Sequence, residues 1–348
     1  MSAHRSASPA RSDASGSSSA DFAFDFMQGK VQAYRAQPES FRPKTPPPTT
    51  ASYTRRALGG HGPLQAPEEV QVRLVGGHPL WGHLLYPAAI ALARYLETHA
   101  PSLLHSSPND SISDPKGKRK VEPKRIIELG AGGGLPALIA ALESDPSTKV
   151  IISDYPDQDL VDNLQYNIAL NGFREDKIQA KGFAWGHSVA PLINGVWGDE
   201  QGEGEEKFDV VLLSDVVFNH SQHGALLESC KALLKSAPPK FGRLSASSTS
   251  SLPVRPIDLT PPELDLHSPL VLCFFSHHRP TDILIKADNG LMELAKTKGW
   301  IVTKVWEDPH AGPAFPEDKG DLAIRSTVHG YAFTRPSPSP TATSTREA

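Results

Sequence analysis

Arg125-Ile-Ile-Glu-Leu-Gly-Ala-Gly-Gly-Gly-Leu-Pro136 decides how this chain folds. Ile126, Ile127 and Leu129 make a short apolar strand, the glycines a tight turn, and Ala137 to Leu142 an apolar helix. Glycine stands where another group must touch the backbone, since a Cβ there blocks the approach. A second strand, Lys149-Val-Ile-Ile-Ser153, delivers Asp154 at its tip. A carboxylate in that place takes two ribose hydroxyls in doubly wound nucleoside sites; the competing role is an ordinary turn residue before Pro156. The third unit, Phe208-Asp-Val-Val-Leu-Leu-Ser-Asp215, is an apolar strand ending in the polar pair Ser214-Asp215. Three such units predict a nucleoside-bearing cofactor lying across the carboxyl ends of a parallel sheet.

The cofactor class follows from what the loop lacks. A dinucleotide fingerprint needs G-x-G-x-x-G, its third glycine letting the helix N-terminus face a pyrophosphate. Counted from Gly130, that glycine falls on Leu135, and Pro136 follows at the first turn of the helix, where its missing N–H costs nothing. The loop suits S-adenosylmethionine, which has no phosphate to hold, better than a dinucleotide. A glycine turn without a ligand is the plainest competitor.

Composition sets the frame around this unit. Residues 1–60 are predicted as a disordered N-terminal region, with Thr45-Pro-Pro-Pro-Thr-Thr50 a stiff linker, and 336–348 as a disordered tail. Three polar stretches, 105–124, 187–207 and 243–267, fall between core elements and are expected as surface insertions of one domain over 61–335. The net charge of −4 gives no case for a nucleic-acid partner. The basic run Lys116 to Lys120 is expected as solvated loop rather than a nuclear address. Two cysteines, Cys230 and Cys273, exclude a disulfide framework, and with no apolar leader or membrane-length span the expectation is a cytoplasmic monomer without membrane contact.

Along the chain, Val70 to Val75 alternates as a strand, and Pro87 to Glu97 has helical apolar spacing. Helices are expected over Pro136–Glu143, Asp159–Asn171, Gly224–Leu234 and Asp288–Lys298. Strands are expected over Lys177–Phe183, 208–213, Leu270–Ser276, Trp300–Trp306 and Thr327–Thr334. The predicted fold is α/β, a doubly wound, mostly parallel, Rossmann-like sheet of seven strands whose last two strands form an antiparallel edge.

Gly130, Ala131, Gly132 and Gly134 would line the methionine end of the cofactor, and Asp154 its ribose. Trp185-Gly186 ends the third strand and is either an adenine platform or a core tryptophan at a turn. Trp81-Gly82, before the first helix, either covers the cofactor from above or puts Trp81 in the core. Ser214, Asp215, Asn219, His220 and His277 stand after apolar strands, where such sheets place ligand and substrate. Adjacent His277 and His278 should point to opposite sides of their strand, with no cysteine near, so no metal site is expected. No G-x-S-x-G elbow supports a serine hydrolase.

Trp81-Gly82, Glu128-Leu-Gly-Ala-Gly-Gly-Gly-Leu-Pro136, Asp154-Tyr-Pro156, Asn163-Leu-Gln-Tyr-Asn167, Leu213-Ser-Asp-Val-Val-Phe-Asn-His220 and Phe275-Ser-His-His-Arg-Pro280 together resemble family 16 of the seven-β-strand methyltransferases. Within it they are most similar to the fungal group once called nicotinamide N-methyltransferase-like, now the elongation factor methyltransferase 7 type. The resemblance runs from about residue 70 to 334, and the Asn-His and Ser-His-His-Arg-Pro motifs are its specific parts. It implies a class I methyltransferase that uses S-adenosylmethionine to modify the N-terminal glycine and adjacent lysine of translation elongation factor 1-alpha. It also implies cofactor contacts at Trp81, Gly130, Ala131, Gly132, Asp154, Trp185 and Ser214. The alternatives are a small-molecule N-methyltransferase for nicotinamide-like pyridines and a fold that binds a partner without catalysis. The three polar insertions depart from a compact family member.

Overall fold

The computed structural model describes residues 47–56, 67–76, 83–106, 111–113, 119–194, 196–197, 206–236 and 258–336. At its centre the glycine turn joins strand β5 (Arg125–Leu129) to helix α2 (Leu135–Glu143). Residues 126 to 129 are all buried, as a strand covered on both faces requires. The chain then runs through β6 (Lys149–Asp154), α3 (Gln158–Leu170) and β7 (Ile178–Gly182), stepping outward in parallel register. It returns to the other side of β5 with β8 (Val210–Ser214), helix α5 (His223–Leu233) and β9 (Leu270–Ser276), again parallel. The short helix α4 (Ala190–Ile193) lies between β7 and β8. The direction of winding therefore reverses between β5 and β8, which opens a crevice at their carboxyl ends.

The sheet closes with helix α6 (Asp282–Thr297), strand β10 (Ile301–Asp308), the short helix α7 (Leu322–Arg325) and strand β11 (Val328–Thr334). The strand order is β10-β11-β9-β8-β5-β6-β7. Seven strands, mostly parallel, match the expected fold; the antiparallel region differs in one detail. The last strand, β11, slots between β9 and β10 and is antiparallel to both, so the outermost strand β10 runs with the parallel set. A helix, α6, carries the chain from β9 to β10 and leaves that gap open for β11.

Two apolar cores cover the two faces. One packs α1 (Pro87–Leu103), α2 and α3 against the sheet, and the other packs α4, α5 and α6. The first face carries an extra hairpin of β1 (Thr49–Thr54) and β2 (Glu69–Leu74). Strand β1 takes Thr49–Thr54 out of the expected disorder and takes the end of the expected linker, Thr49-Thr50, with it; residues 1–46 and 57–60 lie outside the described residues. Tyr53 is buried and its hydroxyl donates to Glu97 of α1 at 3.0 Å, an anchor that composition alone does not show.

Parts of the expected surface insertions are also tied to the body. Within 105–124, the Ser106 N–H donates to Asp145 after α2 at 2.8 Å, and β3 (Ser111–Ser113) and β4 (Arg119–Val121) pair as a separate hairpin. In 187–207, Leu192 and Ile193 of α4 are buried and Glu206 forms an ion pair with Arg125 at 2.7 Å. In 243–267, Asp258 meets His99 at 3.0 Å and Leu266 is buried, while 243–257 lie outside the described residues. Helix α6 starts at Asp282 rather than Asp288, because Thr281 caps it by accepting the Leu284 N–H.

Candidate active site

The loop after β5 passes through the left-handed region at Gly130, Gly132 and Gly134, with φ of 67°, 58° and 79°. These glycines serve different ends. A Cβ on Gly134 would overlap Ile152 Cδ1, so this residue lets α2 seat on β6, and its expected role in lining the cofactor gives way to packing. A Cβ on Gly132 would meet nothing within 4 Å, which leaves open space above the loop. At Gly130 the nearest side chains are Trp185 and Val216, each 2.9 Å from such a Cβ. Trp185 packs on the second core, as the core role expects, with its ring against Gly130 of the loop.

Asp154 ends β6 directly beside the turn. Its Oδ2 accepts the Gly132 N–H at 2.7 Å and its Oδ1 the Tyr155 N–H at 2.7 Å. Desolvation raises its pKa above the ordinary carboxylate value, against the pull of those two N–H groups. One residue before the turn, Glu128 is fully buried. Its Oε2 accepts the Ala137 N–H at 2.9 Å, and its Oε1 has no hydrogen-bond partner among the described residues. Burial pushes this carboxyl up to about 8, and the charge of Asp154 acts in the same direction. A carboxylate inside an apolar strand is the sequence signal for Glu128, a residue the motifs above leave without a role.

A stripe of asparagines fixes the wall of the loop. Asn163 and Asn167 of α3 and Asn171 at its C-terminal cap are four residues apart, hence on one face. Asn167 accepts the Arg73 N–H at 2.8 Å and donates to Arg73 O and Gly133 O at 2.8 and 2.9 Å. Asn171 accepts the Gln71 N–H at 3.0 Å and donates to Gln71 O at 2.8 Å. Asn163 donates to Arg73 O at 2.9 Å and accepts the Arg73 side-chain Nε–H at 2.8 Å. The amides act as a partner strand for β2 and hold it over Gly133, where a Cβ would overlap Val72 Cγ1. Their four-residue spacing was visible in the sequence, but nothing there named β2 as what they grip.

Beyond β8, Ser214 closes the strand and Asp215 takes a left-handed backbone, φ 55°, unusual for a residue with a Cβ. Asp215 is buried; its N–H donates to Phe274 O at 2.8 Å, and its Oδ2 accepts from His278 Nε2 at 2.8 Å. The rings of Tyr86 and Phe315 lie 5.8 and 5.3 Å from the His278 ring. His278, rather than His277, is the histidine that joins Asp215.

The other expected mouth residues part from it. His277 Nδ1 and His220 Nε2 share Asp288 of α6, at 2.7 and 2.6 Å, in a separate cluster. Burial raises the Asp288 carboxyl, but its bonds to these two histidines outweigh that and hold it below the ordinary range. His277 and His278 face opposite sides of β9's end because consecutive residues alternate. Asn219 sits in the turn after β8, where its Oδ1 accepts the Ser221 hydroxyl at 3.3 Å. Trp81 and Gly82 lie outside the described residues. No group of three or more His, Cys, Asp or Glu among the described residues is arranged to hold a metal ion.

A family model described as "Lysine methyltransferase" matches residues 68–242, from β2 through the glycine loop and past β8. Protein N-terminal and lysine N-methyltransferase efm7 of Schizosaccharomyces pombe is 34% identical over 302 residues, covering 87% of this chain and 94% of its own length. The protein of the same name from Cryptococcus neoformans (strain B-3501A) is 37% identical over 298 residues, 84% and 85% of the two chains. That from Debaryomyces hansenii is 39% identical over 301 residues, 85% and 93%. Among solved structures, the O-methyltransferase TomG from Streptomyces achromogenes, in complex with SAM, has a TM-score of 0.35 and 10% identity over 61% of this chain and 74% of its own, too distant to bear on function. With its glycine turn, strand-end carboxylate and seven-stranded sheet, this chain belongs to the lysine methyltransferase family 16, whose methyl donor is S-adenosylmethionine.

Proposed function

We propose that this enzyme methylates the N-terminal amine and the adjacent lysine of translation elongation factor 1-alpha in the cytoplasm, acting as a monomer. The observation that carries it is similarity over nearly the whole chain to fungal proteins named protein N-terminal and lysine N-methyltransferase. The chemistry of the site agrees with a basic amine. A buried carboxylate, Asp215, lies with the rings of Tyr86, His278 and Phe315 beside the turn, and acidic and aromatic groups attract cations.

The donor set fits S-adenosylmethionine. Space lies open above Gly132, and Asp154 stands at hydrogen-bond distance from the same residue, with oxygens suited to ribose hydroxyls. Gly132 lets a ligand approach the backbone, Trp185 against the neighbouring Gly130 offers a flat face for adenine, and Gly130, Ala131 and Ser214 are proposed as further contacts. Glu128 Oε1, buried with no hydrogen-bond partner among the described residues, is a polar group free to bond a ligand beside the loop. When bound, the cofactor supplies an electrophilic methyl group. The protein's own task is to hold the amine in line with it, exclude water and accept a proton, and orientation alone removes much of the barrier.

The test uses purified enzyme, labelled cofactor and elongation factor 1-alpha, with and without a blocked N-terminus. Label should appear on both amines of the free protein and leave the N-terminal site when it is blocked. Equal labelling of the two forms would remove the N-terminal assignment.

A further inference from the structure

Proton removal is the step in this site for which the fold provides a specific geometry. An amine that reaches the enzyme as an ammonium has no lone pair to give. At pH 7 about one lysine in a few thousand is neutral, against about one N-terminal amine in ten, from their ordinary pKa values. A base beside the acceptor would matter far more for the lysine.

His278 has the arrangement such a base needs. Its Nε2–H donates to Asp215 at 2.8 Å, which leaves Nδ1 with the lone pair of the neutral ring. That Nδ1 is buried and has no hydrogen-bond partner among the described residues. Asp215 is held by Phe274 O through its own N–H, in a left-handed conformation that turns it off the end of β8. The next residue, Val216, lies against Gly130, so the pair adjoins the cofactor loop. Tyr86, at the start of α1, and Phe315, in the segment before α7, bring their rings within 5.8 and 5.3 Å of the imidazole. His277, by contrast, has its Nδ1 occupied by Asp288.

We infer that His278 Nδ1 accepts the proton of the substrate ammonium, with Asp215 orienting the ring; this rests on the protein-amine reading of the site. The ammonium gives one proton to Nδ1, making an imidazolium. The freed lone pair forms the N–C bond to the methyl carbon as the C–S bond of the donor breaks, its electron pair remaining on sulfur. The imidazolium then loses its proton to water, and the product leaves as a methylated amine.

Charges around the ring set its working range. Burial pulls the His278 pKa down, but the charge and hydrogen bond of Asp215 outweigh it, and Asp288 on α6 and Asp318 before α7 push the same way, so it is raised above 6.5. Tyr86 is also raised, by burial and then by Asp215, and stays a phenol. A protonated His278 accepts nothing, so lysine methylation falls as pH drops through that raised value.

The experiment is site-resolved mass spectrometry of elongation factor 1-alpha treated with wild-type enzyme and H278Q from pH 6 to 9, with cofactor affinity measured by calorimetry. Glutamine keeps a polar side chain of similar reach but takes up no proton. H278Q should lose about 100-fold at the lysine and about 10-fold or less at the N-terminus at pH 7, with cofactor affinity unchanged, the usual scale for a missing general base. Equal loss at both amines with the pH profile unmoved would overturn the assignment, as would no loss at either. For the wild type, nitrogen NMR of labelled histidine gives a measure independent of any variant. A neutral ring protonated on Nε2 and titrating above 6.5 supports the role, and one protonated on Nδ1 or titrating lower overturns it. Wild-type enzyme silent toward both amines would instead refute the substrate, and is thereby told apart from a failure of His278.

Discussion

Glu128→Gln should make the cofactor-free enzyme more stable at high pH, by an amount the structure sets. Glu128 is fully buried in β5, with Oε2 on the Ala137 N–H and Oε1 without a hydrogen-bond partner among the described residues. Its carboxyl is raised from 4.5 to about 8, first by desolvation. The folded chain therefore keeps the proton over a range in which the unfolded chain has released it. Wild-type stability from this group is complete below pH 4.5 and is lost as pH rises toward 8. Between pH 5.5 and 8 that loss amounts to about 3 kcal/mol, at about 1.4 kcal/mol per pH unit and slightly less near the folded pKa. Glutamine keeps an oxygen for Ala137 and never ionises, and any cost of its amide is the same at both pH values. Urea unfolding of both proteins without cofactor at pH 5.5 and 8 should show the advantage of the variant growing by about 3 kcal/mol. A difference that stays constant with pH would refute the reasoning, because every other titrating group is common to the two proteins.

Three further outcomes follow from the loop and its wall. Asn167→Ala removes three hydrogen bonds to Arg73 and Gly133 and should cost about 3 kcal/mol in urea unfolding, at about 1 kcal/mol each; a loss under 1 kcal/mol would mean that β2 is held by packing alone. Gly134→Ala and Gly132→Ala should separate stability from binding. The first drives a Cβ into Ile152 at a left-handed position and should destabilise by about 3 kcal/mol, while the second should cost about 1 kcal/mol yet weaken cofactor binding more than 10-fold by calorimetry. Asp154→Ala should reduce cofactor affinity by about 100-fold, the loss of two charge-assisted bonds, and an unchanged affinity would place the ribose elsewhere.

Much of the fold was legible because it rests on local pattern. Ile126 to Leu129, Val150 to Ile152 and Leu270 to Phe275 are apolar runs that only a sheet covered on both faces can bury. The glycine turn and Asp154 were readable for the same reason, since each is a local backbone demand at the end of a strand. Other features depended on partners distant in sequence. Thr49–Thr54 has the composition of the disordered region around it, and its strand depends on Tyr53 meeting Glu97, 44 residues away. Choosing between two adjacent histidines required knowing which side of β9 faces Asp215, 63 residues back from His278. Pattern gives the alternation of sides but not which side is the crevice.

By itself the sequence determined the strands of the seven-stranded sheet, the turn, the carboxylate at 154 and the class of cofactor, because short-range sterics and burial fix those one segment at a time. Tertiary structure alone decided that β11 inserts between β9 and β10, that three asparagines clasp β2, and that His278 and Asp215 meet past the ends of β9 and β8. Such pairings are settled by which surfaces meet when the sheet closes and the two cores bury their apolar faces, and that choice is made by the whole chain at once.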